Sequence, residues 1–294
     1  MLDRSLLALL ALVAVTAVWG LTFVQVKDAV AIYPLFAFLT VRFAIASLVL
    51  AAPAAPRLRS LGRSGALAGV VLGLLLAAGY ALQTAGLERT TVSSAGFITG
   101  LYVVFTPLLA LLLFRTRVAA VVWLGIGLAL VGLGLLSGVG AGDPVGDALV
   151  LAGSAAYSLQ IVLLERYAPR YDAIAFTQAE MLAAFGGFAL VAVAAGQVEV
   201  PSGWTVWGAL LVTGIFASAL GFLVQTWAQR RTSATRTALA FAMEPVFAGV
   251  FGFWLAGDRL GAVGWAGCAV IMAGIVVAEP EAGRTLGRLV PRRS

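Results

Sequence analysis

The sequence predicts an all-α integral membrane protein of ten transmembrane helices, arranged as two inverted five-helix repeats around a central cavity. Three observations carry this. The composition is 62% hydrophobic and 11% charged, with a mean hydropathy of +1.03; soluble domains carry about 25% charged residues, so polar residues are too few to cover a surface facing water. The apolar runs have the length of a membrane-crossing helix and are rich in Leu and Ala, where a barrel would show short alternating segments. Finally, Gln83 to Leu136 recurs as Gln225 to Ala278 at a constant shift, without a gap.

In that repeat Gln83 meets Gln225, Thr84 meets Thr226, Arg89 meets Arg231 and Thr90 meets Thr232; Arg117, Trp123, Gly125 and Gly132 meet Arg259, Trp265, Gly267 and Gly274. Aliphatic matches are cheap in so apolar a chain, but polar, Trp and Gly matches are not, and a duplicated unit is the first thing to settle. The front of each half repeats more faintly: Trp19 falls on Tyr157, Phe38 on Phe176 and Arg42 on Glu180. The chain divides into a first repeat, residues 1–140, a second, residues 141–279, and a basic tail, residues 280–294, with the turn-rich Gly138–Gly146 between the repeats.

Taken in order, the apolar spans fall at roughly 5–26, 35–52, 65–86, 93–114, 118–137, 147–165, 174–195, 204–229, 234–256 and 261–279. Charge or turn signals end each one: Lys27-Asp28, Pro53 to Arg63, Glu88-Arg89, Arg115 to Arg117, Asp143-Pro144, Pro169 to Asp172, Glu199 to Gly203, Arg230-Arg231 and Gly257 to Arg259. The first run is too long for a signal-peptide core and is read as a retained helix. With the N-terminus inside, fourteen Arg lie on the cytoplasmic side, against Lys27, Arg89 and Arg259 outside. That bias assigns both termini to the cytoplasm of a bacterial inner membrane, and it explains a pI of 10.1 without nucleic acid. Five spans per half is odd, so the second half enters the bilayer from the opposite side, as in secondary transporters that rock around a midplane site.

The absence of histidine rules out a His-based triad, relay or metal site, and one cysteine, Cys268, rules out an intramolecular disulfide. The Gly-rich segments Gly69–Gly79 and Gly132–Gly142 carry no Lys-Ser/Thr and follow no strand, so they are helix-packing surfaces and not phosphate loops. No cofactor and no enzyme activity are expected. Polar residues inside spans face protein or water. Thr16, Trp19 and Thr22 share a face of span 1, Tyr80, Gln83 and Thr84 of span 3, and Thr99, Tyr102 and Thr106 of span 4; Ser154, Tyr157 and Ser158 cluster in span 6. Spans 5 and 10 carry glycines seven apart and almost no polar atoms, which suits scaffold packing or a dimer contact.

Charged residues within spans are weighed singly. Glu244, just before Pro245, is either a cavity carboxylate beside a hinge or a buried structural group. Arg42 and Glu180, repeat mates, are a carboxylate-binding Arg and a gate ion pair, or a structural pair. Pro107 falls on Gly249, one turn from Pro245, so the two kinks are offset and offer asymmetric hinges. Trp204, Trp207 and Trp254 sit near span ends and read as an interfacial belt, whereas Trp19, Tyr80, Tyr102, Tyr157 and Trp227 lie deeper.

Trp19-Gly20, the run Gln83 to Leu87, Ala95 to Thr99, Pro107-Leu108-Leu109, Thr232 to Ala240, Met243 to Phe247 and Gly264-Trp265 together resemble the EamA-type drug/metabolite transporter superfamily over nearly the whole chain. Within it the chain is most similar to YddG-type bacterial amino-acid exporters. The resemblance implies a basket with spans 1–4 and 6–9 around a cavity and spans 5 and 10 outside it. The histidine some such exporters carry is missing here. The expected function is export of aromatic or bulky neutral amino acids and related metabolites by alternating access, with Trp19, Tyr80, Gln83, Tyr102, Tyr157 and Glu244 binding the solute. Arg42, Glu180, Pro107 and Pro245 would gate or couple. The alternative is a multidrug or nucleotide-sugar exporter. The partners are a small solute and the lipid bilayer, with a dimer through spans 5 and 10 as a further option.

Overall fold

The computed structural model describes residues 4–90, 92–137, 143–251, 254 and 261–278. The chain runs through α1 (Arg4–Val30), α2 (Leu35–Ala54), α3 (Gly62–Leu87), α4 (Val92–Gly100), α5 (Tyr102–Phe114), α6 (Ala120–Ser137) and α7 (Pro144–Tyr167). It continues through α8 (Ala173–Ala194), α9 (Gly203–Val212), a π-helical segment (Thr213–Leu220), α10 (Gly221–Gln229), α11 (Ala234–Phe241), α12 (Glu244–Phe251) and α13 (Ala262–Ala278). No strand occurs among the described residues. Six of their helices are long and apolar enough to cross a membrane, and three shorter apolar helices accompany them. The expected tail 280–294 lies outside the described residues, as do Arg259 and most of the linker.

Local chemistry accounts for the helix boundaries. Asp143 caps α7 by accepting from Val145 N at 2.8 Å, with Pro144 in the first turn, where its missing N–H costs nothing. Asp172 accepts from Ile174 N and Ala175 N, both at 3.1 Å, to start α8, and Ser233 caps α11 through Arg236 N. Arg115 ends α5 with φ 54°, a left-handed cap. Outward faces remain apolar, with Leu48, Leu112, Leu190 and Val193 exposed, as lipid contact requires.

The packing exchanges the two halves. Helix α2 lies on α8, and α6 on α13. Helix α3 packs on α7 just as α1 packs on α9 and α10; α3 packs on α8 as α2 packs on the π segment; and α4 and α5 pack on α7 as α11 and α12 pack on α1. Each contact thus has its mate under the repeat. The turn after α3 lies against the start of α7, where Thr90 Oγ1 donates to Asp147 at 2.6 Å. The repeat-equivalent turn after α10 lines a surface pocket with Glu165 and Pro169 at the other end of α7. The two turns therefore sit at opposite ends of a 24-residue helix, a separation of about 36 Å at 1.5 Å per residue.

Two expectations change. The proline hinges were to be offset, but the helix breaks fall on repeat-equivalent residues, Leu101 between α4 and α5 and Ala242-Met243 between α11 and α12. Pro107 sits inside α5 without ending it. Pro245 lies in the first turn of α12, and the N–H it lacks is one that would have tied α12 back to α11. The glycines of spans 5 and 10 face each other within one chain: a Cβ on Gly125 would lie 2.5 Å from Gly274 O, and one on Gly132 would lie 2.7 Å from Gly267 O. Those faces are occupied internally, so a dimer would have to use the opposite, outward faces.

Gly125→Val is expected to push α6 off α13 and destabilise the protein by about 1–3 kcal/mol, the usual cost of overpacking. Gly127→Ala, where an added Cβ meets nothing within 4 Å, is expected to leave the melting temperature in detergent unchanged. Equal melting of both variants would contradict this packing.

Candidate functional site

The six residues expected to bind solute, Trp19, Tyr80, Gln83, Tyr102, Tyr157 and Glu244, line one cavity, and Arg42 lines it with them. They come from α1, α2, α3, α5, α7 and α12. The open space is about 90 Å³, bounded by Val26 and Leu87 toward one end and by Gln160, Ile161 and Gln225 toward the other. Glu180, Pro107 and Pro245 are not in its wall. Trp227 packs away from it, with the Arg231 guanidinium 4.4 Å from its ring centroid. Trp204 and Trp254 are exposed, and Trp207 is partly so.

One wall is a chain of polar contacts. Tyr157 Oη donates to Gln83 Oε1 at 3.0 Å, and Gln83 Nε2 donates to Thr99 Oγ1 at 2.9 Å. Gly79 admits Tyr157: a Cβ there would lie 2.5 Å from the ring, so α3 must be glycine at that level for the tyrosine to lean over it. The Tyr80 ring meets Tyr157 edge-on at 5.5 Å. Opposite them Trp19 packs against Phe241 at 4.8 Å and Phe222 at 5.6 Å. Its indole N–H donates to Ala217 O at 2.8 Å, within the π segment.

The π segment also sets Arg42. This guanidinium is 4% exposed; its Nε donates to Ser218 Oγ at 2.8 Å and its NH2 to Tyr80 Oη at 3.1 Å, with the Tyr80 ring centroid 4.7 Å away. The expected Arg42–Glu180 ion pair is not formed. An ion pair does form at the surface, between Arg57 and Asp172 at 3.8 Å. Arg42 turns to the cavity because Ser218 and Tyr80 hold it there, and Glu180 points instead to Gln160, which donates to it at 3.0 Å. The cavity therefore holds one guanidinium, that of Arg42, and one carboxyl group, that of Glu244, which begins α12 at the helix break. Tyr102, at the matching break, is buried and lies beside Glu244.

Phe222, Phe241 and Ser218 were missed because aromatic and small residues in an apolar span read as packing. The repeat could have found two of them. Phe222 is the mate of Tyr80 and Phe241 the mate of Thr99, as Glu244 is of Tyr102 and Gln225 is of Gln83. Each of these pairs lines the cavity. A helix bundle built from two related halves, with an aromatic and polar cavity held between apolar helices, is the architecture of a membrane transporter.

The chain belongs to the EamA-like transporter family, whose profile matches residues 6–138 and 144–278, one match per half. It is 31% identical over 279 residues to an uncharacterized transporter of Archaeoglobus fulgidus, covering 93% of this chain and 86% of that one. To the uncharacterized inner membrane transporter YedA of Escherichia coli (strain K12) it is 30% identical over 291 residues, covering 93% and 91%. The uncharacterized transporter YyaM of Bacillus subtilis is 25% identical over 231 residues, with 74% of each chain covered. A solved crystal structure shares the fold, with a TM-score of 0.78 at 21% identity over 95% of this chain and 98% of that one. The protein is thus a multi-pass membrane transporter and not an enzyme.

The Tyr157–Gln83 contact is testable by a double-mutant cycle in thermal unfolding. Tyr157→Phe and Gln83→Met are expected to couple by about 0.5–1.5 kcal/mol, the net worth of one buried hydrogen bond. Strict additivity would mean the two side chains do not meet.

Proposed function

We propose that this transporter exports zwitterionic amino acids, aromatic or bulky neutral ones, across the bacterial inner membrane by alternating access. In this reading ten spans form two five-helix repeats of opposite orientation, residues 1–140 and 141–279, with both termini in the cytoplasm. The observation that carries the reading is the charge pattern of the cavity. Arg42, free of a carboxylate partner, would take the solute carboxylate, for which a guanidinium offers paired donors. Glu244 would take the ammonium. Trp19, Tyr80, Tyr102 and Tyr157 would contact the side chain through ring faces and edges, and Gln83 would add a polar contact.

Alternating access finds support in the size of the cavity. About 90 Å³ of open space is well below the ~300–1,000 Å³ of small-molecule sites, so loading calls for the lining helices to part. The breaks at Leu101 and Ala242-Met243 are the places where α4–α5 and α11–α12 can bend next to the solute. A location in the inner membrane agrees with the name of the YedA relative and with the Arg bias of the loops.

In proteoliposomes a labelled aromatic amino acid should be taken up and displaced by other amino acids, but not by UMP or a quaternary amine. Its amide, lacking the carboxylate, should compete about 10–100-fold less well, equivalent to roughly 1.5–3 kcal/mol for one charge-assisted contact. Arg42→Gln should abolish that discrimination, and Glu244→Gln should abolish discrimination against the deaminated acid. If both variants discriminate as the wild type does, the charges do not read the solute.

A further inference from the structure

Next to the cavity, three glutamine amides form a continuous hydrogen-bonded chain. Gln160 Nε2 donates to Glu180 Oε1 at 3.0 Å; Gln225 Nε2 donates to Gln160 Oε1 at 3.1 Å and to Gln229 Oε1 at 3.0 Å; Gln229 Nε2 donates to Ile161 O at 2.9 Å. All three are at most 2% exposed, and Glu180 is fully buried. Gln160 and Gln225 line the cavity, while Gln229 lines the surface pocket beside Glu165 and Arg230. The chain is therefore the partition between the two.

Its two ends dictate every amide orientation. A carboxylate and a backbone carbonyl both only accept. Gln160 and Gln229 must each turn an NH2 outward to an end, so each turns its oxygen inward. Gln225, between two oxygens, must spend both N–H bonds on them. Its own oxygen is then left over, and Gln225 Oε1 is indeed buried without a partner, as is Glu180 Oε2. In this arrangement two acceptor oxygens, Gln225 Oε1 and Glu180 Oε2, lack a donor. A buried unpartnered acceptor costs on the order of 1–3 kcal/mol, and a buried carboxylate without a cation costs more.

Thr226 of α10 lies against the carboxyl as a neutral hydroxyl, but the groups around Glu180 supply no cation. Helix α2 brings Arg42, committed to Ser218 and Tyr80. Helix α3 brings Tyr80, held by Arg42, and at its start Arg63, which is exposed. The turn before α3 brings Arg59, also exposed. Helix α10 and the π segment carry no titratable side chain. A metal cation would need a shell of several oxygens, and the cluster offers two unfilled ones.

We propose that Glu180 is a proton-binding site that completes this amide chain and sets two residues of the cavity wall. A hydronium ion reaching the partition gives up one O–H bond and leaves as water while Glu180 Oε2 gains one O–H bond; no other bond breaks and no oxidation state changes. The carboxyl is then uncharged and offers an O–H donor, at the end of a chain in which Gln225 Oε1 has no partner. Loading and unloading this proton alters the hydrogen bonding of Gln160 and Gln225, both of which face the transported solute's space. The site does not depend on which solute is carried.

Infrared difference spectra of the full-length protein in lipid, recorded without solute between acid and alkaline buffer, test this. A protonated-carboxyl C=O band that titrates is expected in the wild type, absent from Glu180→Gln, retained in Glu244→Gln, and unchanged when sodium replaces choline. Survival of the whole band in Glu180→Gln would overturn the proposal, as would its suppression by sodium, which would make the site a sodium site. Should Glu180→Gln not fold, the Glu244→Gln protein carries the test, because Glu180 is then the fully buried carboxylate remaining among the described residues; no titrating band in that variant would refute the proton site.

Discussion

A polar group inside a bilayer has no water to turn to, and that constraint shapes this structure. The backbone meets it by being helical wherever it faces lipid. Side chains meet it in two ways. Most bond to their own helix, as Thr16, Thr22, Thr84 and Thr213 do to carbonyls three or four residues back. Others bond across helices, and several of those cross-helix bonds surround one cavity: Tyr157 to Gln83, Gln83 to Thr99, Arg42 to Ser218 and Tyr80, and Trp19 to Ala217. The cavity is where polarity is tolerated because partners from several helices converge there.

Duplication explains how so few polar residues enclose a site. Mates under the repeat reach the same wall from opposite halves, so one ancestral set of positions supplies both sides. The mates have then diverged in chemistry. Tyr102 faces Glu244 as its counterpart, Tyr80 faces Phe222, and Thr99 faces Phe241. Charge differs most: the first half contributes Arg42 to the cavity and the second contributes Glu244, while Glu180, the mate of Arg42, is turned into the amide partition. A two-fold frame with an asymmetric lining can bind a solute that itself has two different ends.

The all-helical, two-repeat membrane fold was legible because hydropathy and lipid thickness leave few options, and because Trp, Gly and polar matches survive in an otherwise repetitive alphabet. The cavity-lining residues were legible for a related reason: a Gln, Tyr or Glu deep in an apolar run must face inward. What remained hidden was anything whose local sequence is ordinary. TGIFASAL gives no sign of a π-helical segment, yet that segment holds both Trp19 and Arg42. The break at Leu101 has no proline of its own, so Pro107 drew attention six residues too far along. The glycines of α6 and α13 were correctly read as close-packing, but sequence alone does not say whether the partner is another copy or the chain itself.

The central claim is that the two halves cross the membrane in opposite directions around that cavity. The chain has a single cysteine, so accessibility to a membrane-impermeant thiol reagent in a Cys268→Ser background addresses it directly. Arg89 and Arg231 are repeat mates and both are exposed. Labelling of Arg89→Cys from the outside of intact cells, and of Arg231→Cys only after the cytoplasmic face is opened, is the predicted result. Labelling of both from the same face would contradict the account.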